Sequence, residues 1–172
     1  MISSRARRSL ATLLLADSFI LTACGTVDKD PVSAETATAA TVTSIDAQRI
    51  SLPAAGKPTA VFFFSVGCGE CVGGVRSLGQ AAAAAEEAGI DAQFLAVDMD
   101  PREPTETIQR FMEYVDAVHV PAAIDEGAAL SQRFGVAALS TLIIVDSDGQ
   151  VTFRATDPDA DTIVSALHKA GA

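Results

Sequence analysis

Hydrophobic and polar positions along the chain fall into short blocks that switch between strand-like and helix-like periods. Residues 59–66 form one apolar run through Phe62-Phe63-Phe64, the pattern of a central strand covered on both faces. Over residues 70–88 the spacing of Val72, Val75, Leu78 and Ala82 predicts a helix with a single apolar face. Gly73, Gly74 and Gly79 each weaken that helix by about 1 kcal/mol relative to Ala. The Ala run at 81–85 works the other way, and Gly89 is placed to cap the C-terminus. Residues 92–98 read as the next strand. Residues 104–117 predict an amphipathic helix with Ile108, Phe111, Met112 and Val115 facing inward. Residues 118–124 predict a short strand with Pro121 near an edge or bend, and 127–134 a short helix ending at Gly135.

The C-terminal third continues the alternation. Residues 141–145 are a strong strand, Asp146-Ser147-Asp148-Gly149 a hairpin turn, and 150–155 a returning strand with Val151 and Phe153 on one face. Asp157-Pro158 is placed to start a last helix with Ile163, Val164 and Leu167 on its buried side. Ahead of the central strand, residues 42–52 alternate weakly, as a strand or hairpin would, before Gly56-Lys57-Pro58 turns the chain. Strands alternating with helices, closed by a hairpin and then a helix, predict an α/β domain: a mixed sheet with helices on both faces.

The N-terminus has a different character. Arg5, Arg7 and Arg8 precede short apolar stretches at 10–16 and 19–21, interrupted by Asp17. That is too short for a transmembrane helix and fits a signal peptide. It ends in Leu21-Thr22-Ala23-Cys24-Gly25, which resembles a bacterial lipoprotein lipobox. The resemblance implies cleavage before Cys24 and diacylation of its sulfur. The chain then divides into a signal peptide at 1–23, a lipidated Thr/Ala/Ser/Asp-rich tether at 24–41 and a folded domain at 42–172. The 172 residues carry a net charge of −10. The signal segment holds a net +2, so the remaining 149 residues carry −12. A nucleic-acid partner does not fit that charge. An acidic domain is also repelled by anionic lipid, so anchoring falls to the lipid at Cys24.

With Cys24 assigned to lipid, two cysteines remain, in Cys68-Gly69-Glu70-Cys71. A CxxC where a buried strand meets a helix N-terminus is the arrangement thiol–disulfide chemistry needs. The helix start supplies unpaired N–H groups and partial positive charge that stabilise a thiolate. Cys71 lies about one turn further in, close enough to bond Cys68. Cys68, at the exposed helix end, is the attacking thiolate, and the deeper Cys71 resolves the mixed disulfide. Gly69 and Glu70 between them are candidates for tuning the potential, because a carboxylate beside the dithiol disfavours the thiolate. The bland reading of Glu70 is a solvated acid in favourable contact with the helix dipole. Zinc wants four ligands, and His119 and His168 lie far apart in sequence. No resident metal or cofactor is expected.

The segment 62–71, followed by Pro121-Ala122-Ala123-Ile124-Asp125, then Phe134-Gly135-Val136, and then 141–146 with Gly149, resembles the TlpA/ResA-type branch of thioredoxin-like proteins. The resemblance covers about residues 42–170. It implies a thioredoxin-like fold with an inserted helix–strand unit, and an exported, membrane-anchored thiol–disulfide oxidoreductase without a bound cofactor. It also implies that the loop before the late strand faces the dithiol and offers backbone hydrogen bonds to substrate. That makes Gly67, Leu139, Ser140 and Thr141 candidate substrate-loop residues. Four positions depart from the family. Gly67 stands where the family usually has Trp, Ser140 where it has a cis-Pro, and Gly74 and Arg76 where several members have Glu and Pro. A cis bond before a non-proline residue costs about 2.5–4 kcal/mol. The Leu139–Ser140 peptide is therefore either trans in a reshaped loop or strained.

Together these readings describe a lipid-anchored enzyme on the extracytoplasmic face of a bacterial membrane. It exchanges disulfides with the disulfides or thiols of exported proteins, as a reductant rather than an oxidant, and the resemblance implies that its electrons come from a membrane thiol carrier. The alternative is a thioredoxin-fold binding module with an inert or structural disulfide, which Gly67 and Ser140 favour.

Overall fold

The computed structural model describes residues 39–172. The signal segment, Cys24 and most of the tether lie outside the described residues. Among the described residues, seven strands and four helices follow in the order β1 (Ala40–Thr43), β2 (Arg49–Leu52), β3 (Thr59–Phe64), α1 (Cys71–Ala88), β4 (Gln93–Asp98), α2 (Thr105–Tyr114), β5 (Ala122–Ile124), α3 (Ala129–Arg133), β6 (Thr141–Val145), β7 (Val151–Thr156) and α4 (Ala160–Lys169). A 3-10 turn, Glu126–Ala128, leads into α3. β1 and β2 pair as an antiparallel hairpin, and the other strands form a sheet in the order β5-β4-β3-β6-β7. β4 runs parallel to β3 and to β5, whereas β6 is antiparallel to β3 and to β7. β1 begins at Ala40, where Ala40 and Thr41 pair with Leu52 and Ser51.

The apolar run of β3 makes it the centre of the sheet, and all six of its residues are buried. Its period of two divides the core. Ala60, Phe62 and Phe64 face α1, α2 and α4, with the Phe64 and Phe111 rings stacked at 5.2 Å. Val61 and Phe63 face the β1–β2 hairpin and α3, through Ile50, Leu52, Leu130 and Phe134. Helices therefore cover both faces unequally, and the hairpin makes up the second layer. Burying each Phe side chain contributes on the order of 1.5–3 kcal/mol. α2 and β5 form the inserted helix–strand unit, with β5 at one edge of the sheet.

Several local expectations shift. α1 begins at Cys71, and Glu70 is its N-cap. Its buried face runs through Cys71, Gly74, Val75, Leu78, Gly79, Ala81 and Ala85, while Val72 and Ala82 are only half-buried. Gly74 and Gly79 lie on the core side, where neighbours occupy the space of a side chain, whereas Gly73 is exposed. A Cβ on Gly74 would run into the Phe62 ring, and one on Gly79 would lie 2.9 Å from the Ala117 Cβ. Gly89 does cap the helix, at φ 69°. The Ile90 N–H returns to the Ala85 carbonyl at 2.9 Å, in the Schellman pattern. α4 starts at Ala160, not at Pro158. The Asp159 carboxylate accepts the Thr162 N–H at 2.8 Å and caps it, so buried Pro158 sits just outside the helix. Val151 is exposed rather than paired with Phe153 against the core, since β7 is an edge strand with an irregularity beside Val145.

Candidate active site

β3 delivers the chain from the buried sheet into a tight turn. The Cys68 N–H donates to the Ser65 carbonyl at 3.0 Å, and the Cys71 N–H donates to the Cys68 carbonyl at 3.1 Å. The same Cys71 N–H lies 3.2 Å from Cys68 Sγ. Cys68 and Cys71 are joined as a disulfide, with Cα atoms 5.3 Å apart. Cys68 is half-buried and Cys71 has no exposed surface. Glu70, at φ −70° and ψ −30°, makes no side-chain cap hydrogen bond, and the first turn of α1 holds no acid. No side chain therefore competes with sulfur for the helix's first N–H groups. On reduction, an amide N–H and the positive helix end already face Cys68, which favours its thiolate. A Cβ on Gly67 or Gly69 would meet nothing within 4 Å, so there is open space at both glycines that flank half-buried Cys68.

The candidate substrate-loop residues Leu139, Ser140 and Thr141 lie in the loop before β6 and at its start. Thr141 pairs with Phe63, which places Ser140 beside the exit of β3 toward the cysteines. The only cis peptide among the described residues is Leu52–Pro53. The Leu139–Ser140 bond is therefore trans, and the loop is reshaped. Ser140 takes φ 59°, a left-handed conformation that few non-glycine residues adopt. It is buried, and its hydroxyl is 2.6 Å from Asp157 Oδ1. The Thr141 hydroxyl donates to the Ala138 carbonyl at 2.8 Å, while Leu139 remains exposed. Leu139 and Ser65 share a shallow crevice of about 330 Å³ with Met99, Asp100, Pro101 and Arg102. The structure thus brings Ser65, Leu139 and the 99–102 loop together at the end of the sheet that carries the dithiol.

Two acids near this end were not singled out by sequence. Asp98, in register with Phe64, has no exposed surface. Its Oδ1 accepts the Asp100 N–H at 2.9 Å, and its Oδ2 has no hydrogen-bond partner among the described residues. Burial pushes its pKa up to about 6, helped by the negative charges of Glu103 and Asp100 and opposed by the Asp100 N–H. The one signal in the sequence is an acid closing an otherwise apolar strand. Asp157, read from sequence as a helix start, instead reaches back to Ser140. No local pattern marks a contact between residues 17 apart. Of the histidines, the His119 Nε2 is 2.9 Å from the Gly79 carbonyl, to which it donates, and His168 sits in the last turn of α4.

Comparison with known proteins bears on this geometry. A family model described as Redoxin matches residues 28–170. The "Mercury resistance operon ORF3" protein of Streptomyces lividans is 58% identical over 140 residues, which cover 81% of this chain and 74% of that protein. StoA from Bacillus subtilis superposes with a TM-score of 0.66 at 14% identity, over 76% of this chain and 96% of StoA. The exposed lipoprotein thioredoxin Etrx1 of Streptococcus pneumoniae superposes with a TM-score of 0.64 at 19% identity, over 77% of this chain and 99% of that one. The fold is thioredoxin-like.

Proposed function

The chain belongs to the Redoxin family, with the CxxC pair of a thioredoxin-like thiol–disulfide oxidoreductase, and we propose that it reduces disulfides of exported proteins at the outer face of a bacterial membrane. The observation that carries this reading is the asymmetry of the pair. Half-buried Cys68 receives the helix's first amide, while Cys71 is sealed beneath it. The reduced Cys68 thiolate attacks a substrate disulfide. A new S–S bond joins the two proteins, and the released substrate sulfur takes up a proton. Cys71 then loses its proton and attacks Cys68 Sγ, and the second substrate sulfur leaves. The dithiol loses two electrons, the substrate gains them, and the Cys68–Cys71 bond is restored. A membrane thiol carrier returns the electrons.

In this reading Gly69 and Glu70 tune the potential. Gly67, Leu139, Ser140 and Thr141 border the approach of the substrate. Export and lipidation at Cys24 are supported by the lipobox-like Leu21-Thr22-Ala23-Cys24-Gly25 and by the likeness to a protein described as an exposed lipoprotein thioredoxin. A trapping experiment tests the exchange itself. Cys71→Ser should accumulate a Cys68-linked mixed disulfide with an exported protein, seen by mass as one adduct per chain, whereas Cys68→Ser should accumulate none. Equal trapping by both variants, or by neither, would move the reading to a binding module with an inert disulfide.

The relationship to a mercury-resistance operon protein favours a second reading for the same pair. Reduced Cys68 and Cys71 present two soft thiolates, which suit a thiophilic metal ion better than a hard one. Two S–H protons would leave, two S–metal bonds would form, and no electrons would be transferred. Mercuric ion added to the reduced protein should bind one per chain and block both thiols to alkylation. Binding that survives Cys68→Ser at wild-type affinity would end this reading.

A further inference from the structure

Ser140 and Asp157 form a closed pair at the junction between the candidate substrate loop and the redox helix. Both are non-glycine residues with positive φ, 59° for Ser140 and 46° for Asp157. Such conformations are sterically disfavoured and persist only where the surroundings hold them. Two reciprocal hydrogen bonds do so here. The Asp157 N–H donates to the Ser140 carbonyl at 3.1 Å, and the Ser140 hydroxyl donates to Asp157 Oδ1 at 2.6 Å. The second is a short bond to a carboxylate, of the charge-assisted kind. The pair also continues the β6–β7 ladder, in which Thr141 faces Thr156. On its other side, Asp157 Oδ1 lies 3.0 Å from the place a Gly74 Cβ would occupy. Gly74 is one turn past Cys71 on the same helix. Asp157 thus bonds to the candidate substrate loop, and its carboxylate oxygen lies against the space beside Gly74 on the helix that begins at Cys71.

The consequence concerns how that loop keeps its shape without proline. A serine has no ring to fix its backbone, and a free Ser140 would leave the left-handed region. From this geometry we infer that Asp157 is a positioning residue. Its carboxylate holds Ser140 left-handed, and so fixes the Leu139–Ser140 backbone, at the end of the sheet where β3 leads to the cysteines, for an incoming polypeptide. Ser140 has 2% of its surface exposed, whereas Asp157 is an exposed residue that reaches in to it. Leu139 above it stays exposed, and its N–H and C=O have no partner among the described residues. An extended substrate chain can pair with such an edge. Asp157 itself transfers no proton and meets no substrate.

This inference rests on the exchange reading, and the test separates the two. Turnover of a protein disulfide (insulin) and of a small aromatic disulfide is measured for the wild-type chain, Asp157→Ala, Asp157→Asn, and Asp157→Ala combined with Ser140→Gly. Circular dichroism and thermal unfolding report the fold of each. Losing one hydrogen bond to a charged group should raise KM for insulin about tenfold in Asp157→Ala. The kcat for insulin and the rate with the small disulfide should stay within about twofold. Asp157→Asn keeps an acceptor and should fall between the two. Glycine adopts positive φ without a clamp, so adding Ser140→Gly to Asp157→Ala should recover part of the KM loss. Insulin kinetics unchanged in a folded Asp157→Ala, or equal losses with both disulfides, would overturn the positioning role. A wild-type chain that turns over neither disulfide would overturn the exchange reading, and this inference with it.

Discussion

Replacing Asp98 by Asn is expected to flatten the pH dependence of stability. Asp98 has no exposed surface and one carboxylate oxygen without a partner. Its pKa is raised from 3.8 to about 6. The native state therefore binds this proton more tightly than the unfolded chain. Stability is greatest when both states are protonated and falls as pH rises between the two values. At 1.36 kcal/mol per unit, the full loss is about 3 kcal/mol, of which about 2 kcal/mol falls between pH 4.5 and 8. Asp100 and Asp159 act in a separate window. Arg102, and the side chain and N–H of Thr162, respectively hold them below the usual carboxylate range, so their contributions are lost only as pH falls through that range. Asn at position 98 can still accept the Asp100 N–H and never ionises. Urea or thermal unfolding of the oxidised protein at pH 4.5, 6 and 8 measures the difference between variant and wild type, which cancels the other titrating groups. That difference should shift by about 2 kcal/mol in favour of Asn between pH 4.5 and 8, or about 8 °C in Tm for a domain of this size. A difference independent of pH would refute the reasoning.

Two further substitutions probe the redox helix. Gly74→Ala gains helix propensity but drives a methyl group into the Phe62 ring and to 3.0 Å from Asp157 Oδ1. A net destabilisation of about 1–3 kcal/mol is expected from overpacking, read as a lower urea midpoint; an unchanged or higher midpoint would contradict the packing described. Glu70→Gln removes a negative charge next to both cysteines, so the reduced form should gain stability and the reduction potential should rise by about 10–20 mV. An unchanged or lower potential in thiol-buffer equilibration would show that Glu70 does not tune the pair.

The elements most legible in the sequence were those whose pattern is set by burial alone. The 59–66 run reads as a central strand, which in the structure ends at Phe64, and Phe62, Phe63 and Phe64 do alternate between the two core layers. The CxxC announced its own place, since a strand end and a helix start are both local signals. The buried face of α1 was harder to read. Counting apolar side chains treats glycine as a gap, whereas Gly74 and Gly79 are where Phe62 and Ala117 come closest. The burial of Asp98 was hidden because strand periodicity does not tell how deep the end of a strand lies. The Ser140–Asp157 clamp was invisible for a different reason. A serine or aspartate with positive φ has no compositional mark, and only the folded β6–β7 pairing brings the two together.

Reversible exchange at the cysteines can be measured directly. The protein is equilibrated in thiol–disulfide buffers of graded potential, and the fraction with Cys68 and Cys71 joined is read by mass after alkylation. A single reversible two-electron transition, centred near or below roughly −200 mV, is the result predicted for a reductant fed by a membrane carrier. A midpoint near about −120 mV would reverse the direction of electron flow. A pair that never equilibrates with the buffer would contradict redox exchange itself.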